Sequence, residues 1–273
     1  MLRYGTVRTR LNNAISFADL GPGGGEEKAP AFLVHPINMR KECWLDLVRV
    51  LAAERRCIAV DLAGHGESGD AGDYSLAGWV SDCADVAAAL ELERFHLVGG
   101  SLGGTIALCL AGELPAGALS VTAMGSSLRD EPDPGQEQGA DLADLLDTGT
   151  VDEMFAVLAA EAVAPGSAAS LVATVRHLTS TRGAPAIRRI WHAALSADGT
   201  AWTPGVACPV LVITGAFDTG CPPEAGRRMA ESVGGRHEIL PGTGHLPMLE
   251  DAAAVLDLLV PHLESAESKA EAQ

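Results

Sequence analysis

The chain has 273 residues, of which 47% are hydrophobic, enough for one large core of the globular type. A formal net charge of −17 excludes the basic surface that nucleic-acid phosphates require, so no nucleic-acid partner is expected. No apolar run approaches the about 18 residues that span a bilayer, and Met1 to Arg10 carries no apolar signal segment; a soluble, cytoplasmic protein with no membrane partner is expected.

In chain order, Tyr4 to Thr9 and Ile15 to Leu20 read as two strands of antiparallel type, followed by the glycine loop Gly21 to Gly25. Ala31 to His35 is a compact apolar strand ending in the turn His35-Pro36-Ile37-Asn38. Cys43 to Glu54 places Trp44, Leu47, Val48 and Leu51 at helical spacing. Cys57 to Asp61 is a second buried strand, leading into the glycine loop DLAGHGESG. Tyr74 to Leu92 is an amphipathic helix with Leu76, Trp79, Val80, Cys83, Val86 and Leu90 on one stripe.

The stretch FHLVGGSLGGTIALCLAGE, Phe95 to Glu113, organises the rest. A short apolar strand breaks at Gly99-Gly100-Ser101-Leu102-Gly103-Gly104 and resumes as a helix. Gly99, Ser101 and Gly103 fit G-x-S-x-G, in which a strained strand-to-helix turn pushes the serine hydroxyl out. There the unpaired N–H groups of the helix N-terminus favour a developing negative charge. A serine N-cap on a glycine-rich turn is the plainer alternative. No lysine follows the glycines, as a phosphate loop requires, and position 101 breaks the dinucleotide pattern G-x-G-x-x-G.

Leu119 to Met124 is the next strand. From Arg129 to Pro204 the strand signal vanishes, and helical stretches fall near Leu142 to Leu146, Val151 to Val163, Ser167 to Leu178 and Ala186 to Leu195. This is an insertion, residues 129–204, in a core made of residues 1–128 and 205–265. Between Arg129 and Glu161 it holds one basic residue against ten acidic ones. Pro209 to Thr214 restores a buried strand, followed by a loop with Asp218 and a helix from Glu224 to Val233. His237 to Leu240 is a strand, Pro241 to Pro247 a loop with His245, and Asp251 to Leu263 the last helix. Residues 266–273 are expected to fray. The six cysteines form no C-x-x-C pair and read as reduced thiols in apolar segments, with no metal site.

Strand and helix alternate on both sides of the insertion. The expected fold is therefore α/β, a mostly parallel central sheet with helices on both faces and a helical insertion. Ligands bind such sheets outside the carboxyl ends of the strands. Ser101, Asp218 and His245 each follow a predicted strand, so one sheet edge brings them together.

The order Ser101, Asp218, His245, with DLAGHGES before the elbow and GTGHLPMLE near the end, resembles the α/β-hydrolase superfamily. Within it the chain looks like small esterases, enol-lactone hydrolases and carbon–carbon bond hydrolases that carry a helical cap. The resemblance implies that Ser101 is the nucleophile, His245 its general base, Asp218 the orienting acid, and residues 129–204 the cap. It makes the Leu102 N–H one oxyanion donor and, by matched position, the Ile37 N–H the other. The usual His-Gly of the superfamily is here His35-Pro36, and proline fixes φ and has no N–H to give. His35, Asn38 and Trp191 are candidate substrate contacts. For Asn38 turn chemistry is the alternative, and for Trp191 core packing with Ile187, Ile190 and Leu195. The resemblance implies a cofactor-independent hydrolase of a small apolar ester, lactone or thioester, monomeric or homodimeric. Cleavage of a carbon–carbon bond next to a ketone uses the same three residues, and a non-catalytic ligand-binding protein could occupy the same fold. Serine at the elbow argues against the dehalogenase and epoxide-hydrolase relatives, which carry aspartate there.

Overall fold

The computed structural model describes residues 2–22, 28–70, 74–129, 150–179 and 182–272. Eight strands form one sheet: β1 (Leu2–Arg8), β2 (Ala14–Leu20), β3 (Lys28–Val34), β4 (Arg55–Val60), β5 (Phe95–Gly100), β6 (Ala118–Met124), β7 (Val210–Gly215) and β8 (Arg236–Leu240). Their order is β1-β2-β4-β3-β5-β6-β7-β8. β1 runs antiparallel to β2 and β2 to β4, and every later pair is parallel. The antiparallel pair follows from the short loop joining β1 to β2, which leaves no room for a crossover.

The central strands β5, β6 and β7 are buried along their whole length, as parallel strands covered on both faces must be. On one face α2 (Leu76–Ala89) and α3 (Leu102–Glu113) pack Trp79, Val80 and Ile106 against Phe32, Leu97 and Val121. On the other, α1 (Leu45–Leu51), the residue before it and the C-terminal helix pack Leu47, Trp44 and Leu259 against Leu33, Val98 and Ile213. α3 is apolar all round, with every residue from Leu102 to Ala111 buried, because it lies between the sheet, α2 and the turn Thr200–Gly205. The expected helix from Cys43 begins instead as a 3₁₀ turn, Lys41–Trp44.

Between β6 and β7 lie α4 (Val151–Glu161), α5 (Ala169–Leu178) and α6 (Ala184–Leu195). α4 opens with a full capping box of Thr150 and Glu153. α4 and α6 share a small apolar cluster of Met154, Phe155, Ile187 and Trp191. The helical stretch read at Leu142 to Leu146 lies outside the described residues. After β7 come α7 (Pro223–Ser232), the single turn α8 (Pro247–Glu250) and α9 (Ala252–Glu271).

The end of the chain corrects one expectation. α9 continues through residues 266–271 instead of fraying from residue 266. Ala266 is buried, and the Glu267 carboxylate accepts hydrogen bonds from Arg55 Nη1 at 2.8 Å and the Ala29 N–H at 3.1 Å. It also lies 3.2 Å from His96 Nε2. Because Arg55 is itself buried, its charge needs this partner, and that need holds the last helical turns to the sheet. Among the described residues no helix is long and apolar enough to cross a membrane.

Candidate active site

The site is assembled at the carboxyl ends of β3, β5, β7 and β8. β5 runs straight into Ser101, whose backbone has φ 50° and ψ −125°. That left-handed φ is strained for any residue with a side chain. The turn is possible only because its flanks have no Cβ. One on Gly99 would overlap the Gly103 carbonyl oxygen, and one on Gly103 would overlap that of Val34. The two glycines thus let strand, helix and the neighbouring end of β3 pass one another, and the serine takes the apex.

Asp218 follows β7, and His245 follows β8. The His245 Nδ1–H lies 2.9 and 3.0 Å from the two carboxylate oxygens of Asp218. A carboxylate only accepts, so the ring proton sits on Nδ1 and Nε2 presents its lone pair. The Ser101 hydroxyl donates to that lone pair at 3.0 Å. Asp218 is buried and is oriented by the Cys221 N–H, which donates to Oδ1 at 2.8 Å. Burial works against protonation of the His245 ring. The charge and hydrogen bond of Asp218 outweigh it, against a smaller opposing charge from Arg129, and hold the imidazole pKa above its ordinary 6.5.

The histidine loop is clamped by a residue that the sequence did not single out. Glu250, on the single turn α8, accepts from the Gly244 N–H at 2.8 and 2.9 Å, the Leu246 N–H at 3.2 Å and the Ala164 N–H at 2.7 Å. The His245 N–H donates to the Ala162 carbonyl at 2.9 Å. One carboxylate therefore ties the loop carrying His245 to the linker between α4 and α5.

At the end of β3 the His35 ring is fully buried. Its Nε2 accepts from the Leu62 N–H at 3.0 Å, while its Nδ1–H donates to the Pro36 carbonyl at 2.7 Å. Both nitrogens are spent on backbone, and burial pushes the ring pKa down. His35 fastens the turn and cannot contact substrate, which corrects that expectation. Asn38 is likewise buried, at φ 57°. Neither residue lines the cavity beside Ser101; the left-handed φ of Asn38 suits a turn, while its side-chain amide is buried with no hydrogen-bond partner among the described residues. Ile37 does line it. Neither the Ile37 nor the Leu102 N–H has an acceptor among the described residues, and Leu102 stands at the first position of α3, where no intrahelical acceptor exists.

The cavity holds about 780 Å³, its mouth included. Ser101 and His245 form part of its wall, with Met39, Leu158, Trp191 and Leu246 supplying apolar surface. Trp191 also packs on Met154, Phe155 and Ile187, so it belongs to the apolar cluster as well as to the cavity wall. Arg129, the one basic residue ahead of the acidic run, lines the same cavity. Its isolation among acids is the only signal in the sequence that could mark it. Among the described residues no group of three or more His, Cys, Asp or Glu side chains could hold a metal ion.

A strand-elbow-helix with a Ser-His-Asp chain at one edge of a mostly parallel sheet defines the class of protein. A family model described as the alpha/beta hydrolase family matches residues 31–258, and the chain belongs to that family. A 2-hydroxy-6-oxo-2,4-heptadienoate hydrolase from Pseudomonas putida is 31% identical over 131 residues, covering 46% of this chain and 44% of that protein. The chain aligns with less than half the length of the curated relatives that it matches. Among solved structures, a thermophilic esterase from Thermogutta terrifontis superposes with TM-score 0.83 at 22% identity, covering 97% of this chain and 99% of that one. The enol-lactonase from Burkholderia xenovorans LB400 gives 0.85 at 21%, covering 95% and 100%. At these identities the structural likeness establishes the fold.

Proposed function

We propose that the protein is a cofactor-independent serine hydrolase that cleaves a small carboxylic ester, lactone or thioester through an acyl-enzyme on Ser101. The observation that carries this reading is the unbroken hydrogen-bonded chain from Asp218 through His245 to Ser101, opening onto an apolar cavity. A serine hydroxyl is a weak nucleophile until a base takes its proton, and His245 Nε2 is placed to do so.

Ser101 Oγ attacks the substrate carbonyl carbon as its proton passes to His245 Nε2. The carbonyl electron pair moves onto oxygen, and the N–H groups of Ile37 and Leu102 receive the resulting charge. Collapse of the tetrahedral species breaks the bond to the leaving group, which takes the proton from His245. Water then gives a proton to the same nitrogen and attacks the acyl-enzyme, releasing the acid and returning the proton to Ser101. Asp218 keeps the proton on Nδ1 and stabilises the imidazolium formed in each half-reaction. The helices between β6 and β7 serve as a cap, since Leu158 on α4, Ala162 at its end, and Trp191 and Leu195 on α6 line the cavity.

Covalent labelling of Ser101 by a fluorophosphonate probe, together with turnover of p-nitrophenyl esters, tests the reading. Ser101→Ala should lose both, with a rate loss of at least ~10³-fold and an unchanged circular dichroism spectrum. Unlabelled but folded wild-type protein would point to the ligand-binding alternative. A second catalytic reading, cleavage of a carbon–carbon bond next to a ketone, is favoured by the local identity to the heptadienoate hydrolase. A vinylogous diketone assayed beside the esters separates the two.

A further inference from the structure

We propose that Arg129 is a specificity residue, and that the preferred substrate is an ester or lactone whose acyl chain bears a carboxylate. This rests on the reading of Ser101 as the nucleophile. Arg129 lines the same cavity as Ser101 and His245, and its charge is close enough to act on the His245 ring. Its Nη1 is buried and has no hydrogen-bond partner among the described residues. A guanidinium donor kept from water without an acceptor is costly, so an anion that reaches Arg129 supplies a partner that it lacks.

The backbone holds Arg129 in place from behind. The Ser127 carbonyl accepts from Thr105 Oγ1 at 2.8 Å, and the Leu128 carbonyl accepts from the Gly199 N–H at 3.2 Å. Arg129 itself adopts φ 59°, a left-handed conformation that costs a long side chain energy.

The chemistry of the wall selects the anion. Among the described residues lining the cavity, Arg129 is the one permanent cation, and its neighbours there are largely apolar. A single guanidinium neutralises one charge. A dianion such as a phosphate monoester would leave a second charge unpaired in apolar surroundings, which is strongly unfavourable. A carboxylate matches the fork of the guanidinium with one charge and two acceptor oxygens. Glu161, the acid in the same lining, is exposed to water, where its repulsion is screened.

The test compares p-nitrophenyl valerate with p-nitrophenyl hydrogen glutarate, similar in length and differing in a terminal carboxylate. Wild type should favour the glutarate ester in kcat/KM by roughly 10- to 100-fold, the size of one charge-assisted pair. Arg129→Gln should remove that ratio and Arg129→Lys should restore part of it. A parallel measurement needs no variant. Glutaramate, an anion, should inhibit wild-type turnover of the valerate ester competitively and at least about tenfold better than neutral glutaramide, and added salt should weaken it. Equal inhibition by the two amides, or a wild-type preference that survives Arg129→Gln, overturns the proposal. If neither ester is turned over and the probe does not label Ser101, the serine-hydrolase reading has failed. Labelling and valerate turnover without the anionic preference mean that only the role of Arg129 has failed.

Discussion

Glu250 accepts hydrogen bonds from the backbone N–H groups on both sides of His245, those of Gly244 and Leu246. It adds a third from Ala164, in the linker after α4. His245 is thus positioned by a carboxylate that never touches it. Because hydrogen bonds to a charged acceptor contribute about 1.5–3 kcal/mol each, the position of His245 depends on this one side chain.

Replacing Glu250 by Gln should therefore act on the rate more than on binding. The amide keeps the shape but loses the charge and presents one donor group where three N–H groups need acceptors. We expect kcat to fall roughly 10- to 100-fold with KM nearly constant, and fluorophosphonate labelling of Ser101 to slow in parallel. A variant with wild-type kcat and only a lower melting temperature would reduce Glu250 to a purely structural clamp.

The pH profile follows from the Asp218–His245 pair. Only the neutral imidazole can take the Ser101 proton, and Asp218 raises the imidazole pKa above 6.5. Activity should accordingly rise with pH through a midpoint above 6.5 and be lost below it. Asp218→Asn removes the charge that raises the pKa, so the midpoint should move down while the plateau drops by on the order of 10⁴-fold as the wrong tautomer forms. A midpoint in Asp218→Asn equal to that of wild type would show that His245 does not set the acid limb.

The strands and the order of Ser101, Asp218 and His245 were legible because apolar runs and glycine turns are local signals. The parallel sheet then carries those residues to one edge. What sequence could not supply depends on contacts between distant segments. The long reach of α9 comes from Glu267 meeting Arg55 and His96, separated from it by most of the chain. Nothing near Ala252 to Glu271 distinguishes that helix from one that frays. His35 reads as a candidate substrate contact in the turn that leads to Ile37. The structure turns its ring the other way, where the Leu62 N–H and the Pro36 carbonyl occupy both nitrogens. Glu250 was invisible as a clamp because its oxygens are used by backbone N–H groups, which almost every residue type carries.

The Glu267 contact predicts an acid-sensitive C-terminus. Burial raises the carboxyl pKa, but the hydrogen bonds from His96 and Arg55 and the Arg55 charge outweigh it and bring the pKa down to about 2. A depressed carboxyl pKa contributes stability that is present above the unfolded value of 4.5. That stability is lost as pH falls from there through about 2. Glu267→Ala leaves the buried Arg55 without its carboxylate and should destabilise the fold by about 3 kcal/mol at neutral pH. The difference from wild type should shrink when urea unfolding is repeated near about pH 3. A constant difference across that range would mean the loss comes from packing.

Trp191 belongs both to the cavity wall and to the cluster with Met154, Phe155 and Ile187. Trp191→Ala should consequently show two effects together. Truncating a buried aromatic costs about 3–5 kcal/mol, and the vacated space should shift selectivity towards longer acyl chains. A p-nitrophenyl ester series from acetate to decanoate, with a thermal melt, reads both. Lower stability with an unchanged chain-length profile would confine Trp191 to the cluster.

Pro36 is where the chain departs from the His-Gly of the superfamily, and the structure gives it three contacts. Its carbonyl accepts from the His35 ring at 2.7 Å and from the Met39 N–H at 3.1 Å, and its ring atoms approach Gly100 so closely that a Cβ there would lie 3.0 Å from Cγ. The fixed φ of proline thus sets the direction in which the next N–H, that of Ile37, leaves the turn. Pro36→Gly keeps the carbonyl and its two hydrogen bonds but enlarges the conformations available to the turn. Losing an oxyanion donor outright costs about 3 kcal/mol. A donor that is retained but loosened should cost less, so kcat is expected to fall roughly tenfold. KM should hardly change, because the interaction strengthens only as charge develops on the carbonyl oxygen. A kcat at or above wild type would mean that the proline is kept for its packing against Gly100, and that the His35 and Met39 hydrogen bonds alone aim the Ile37 N–H.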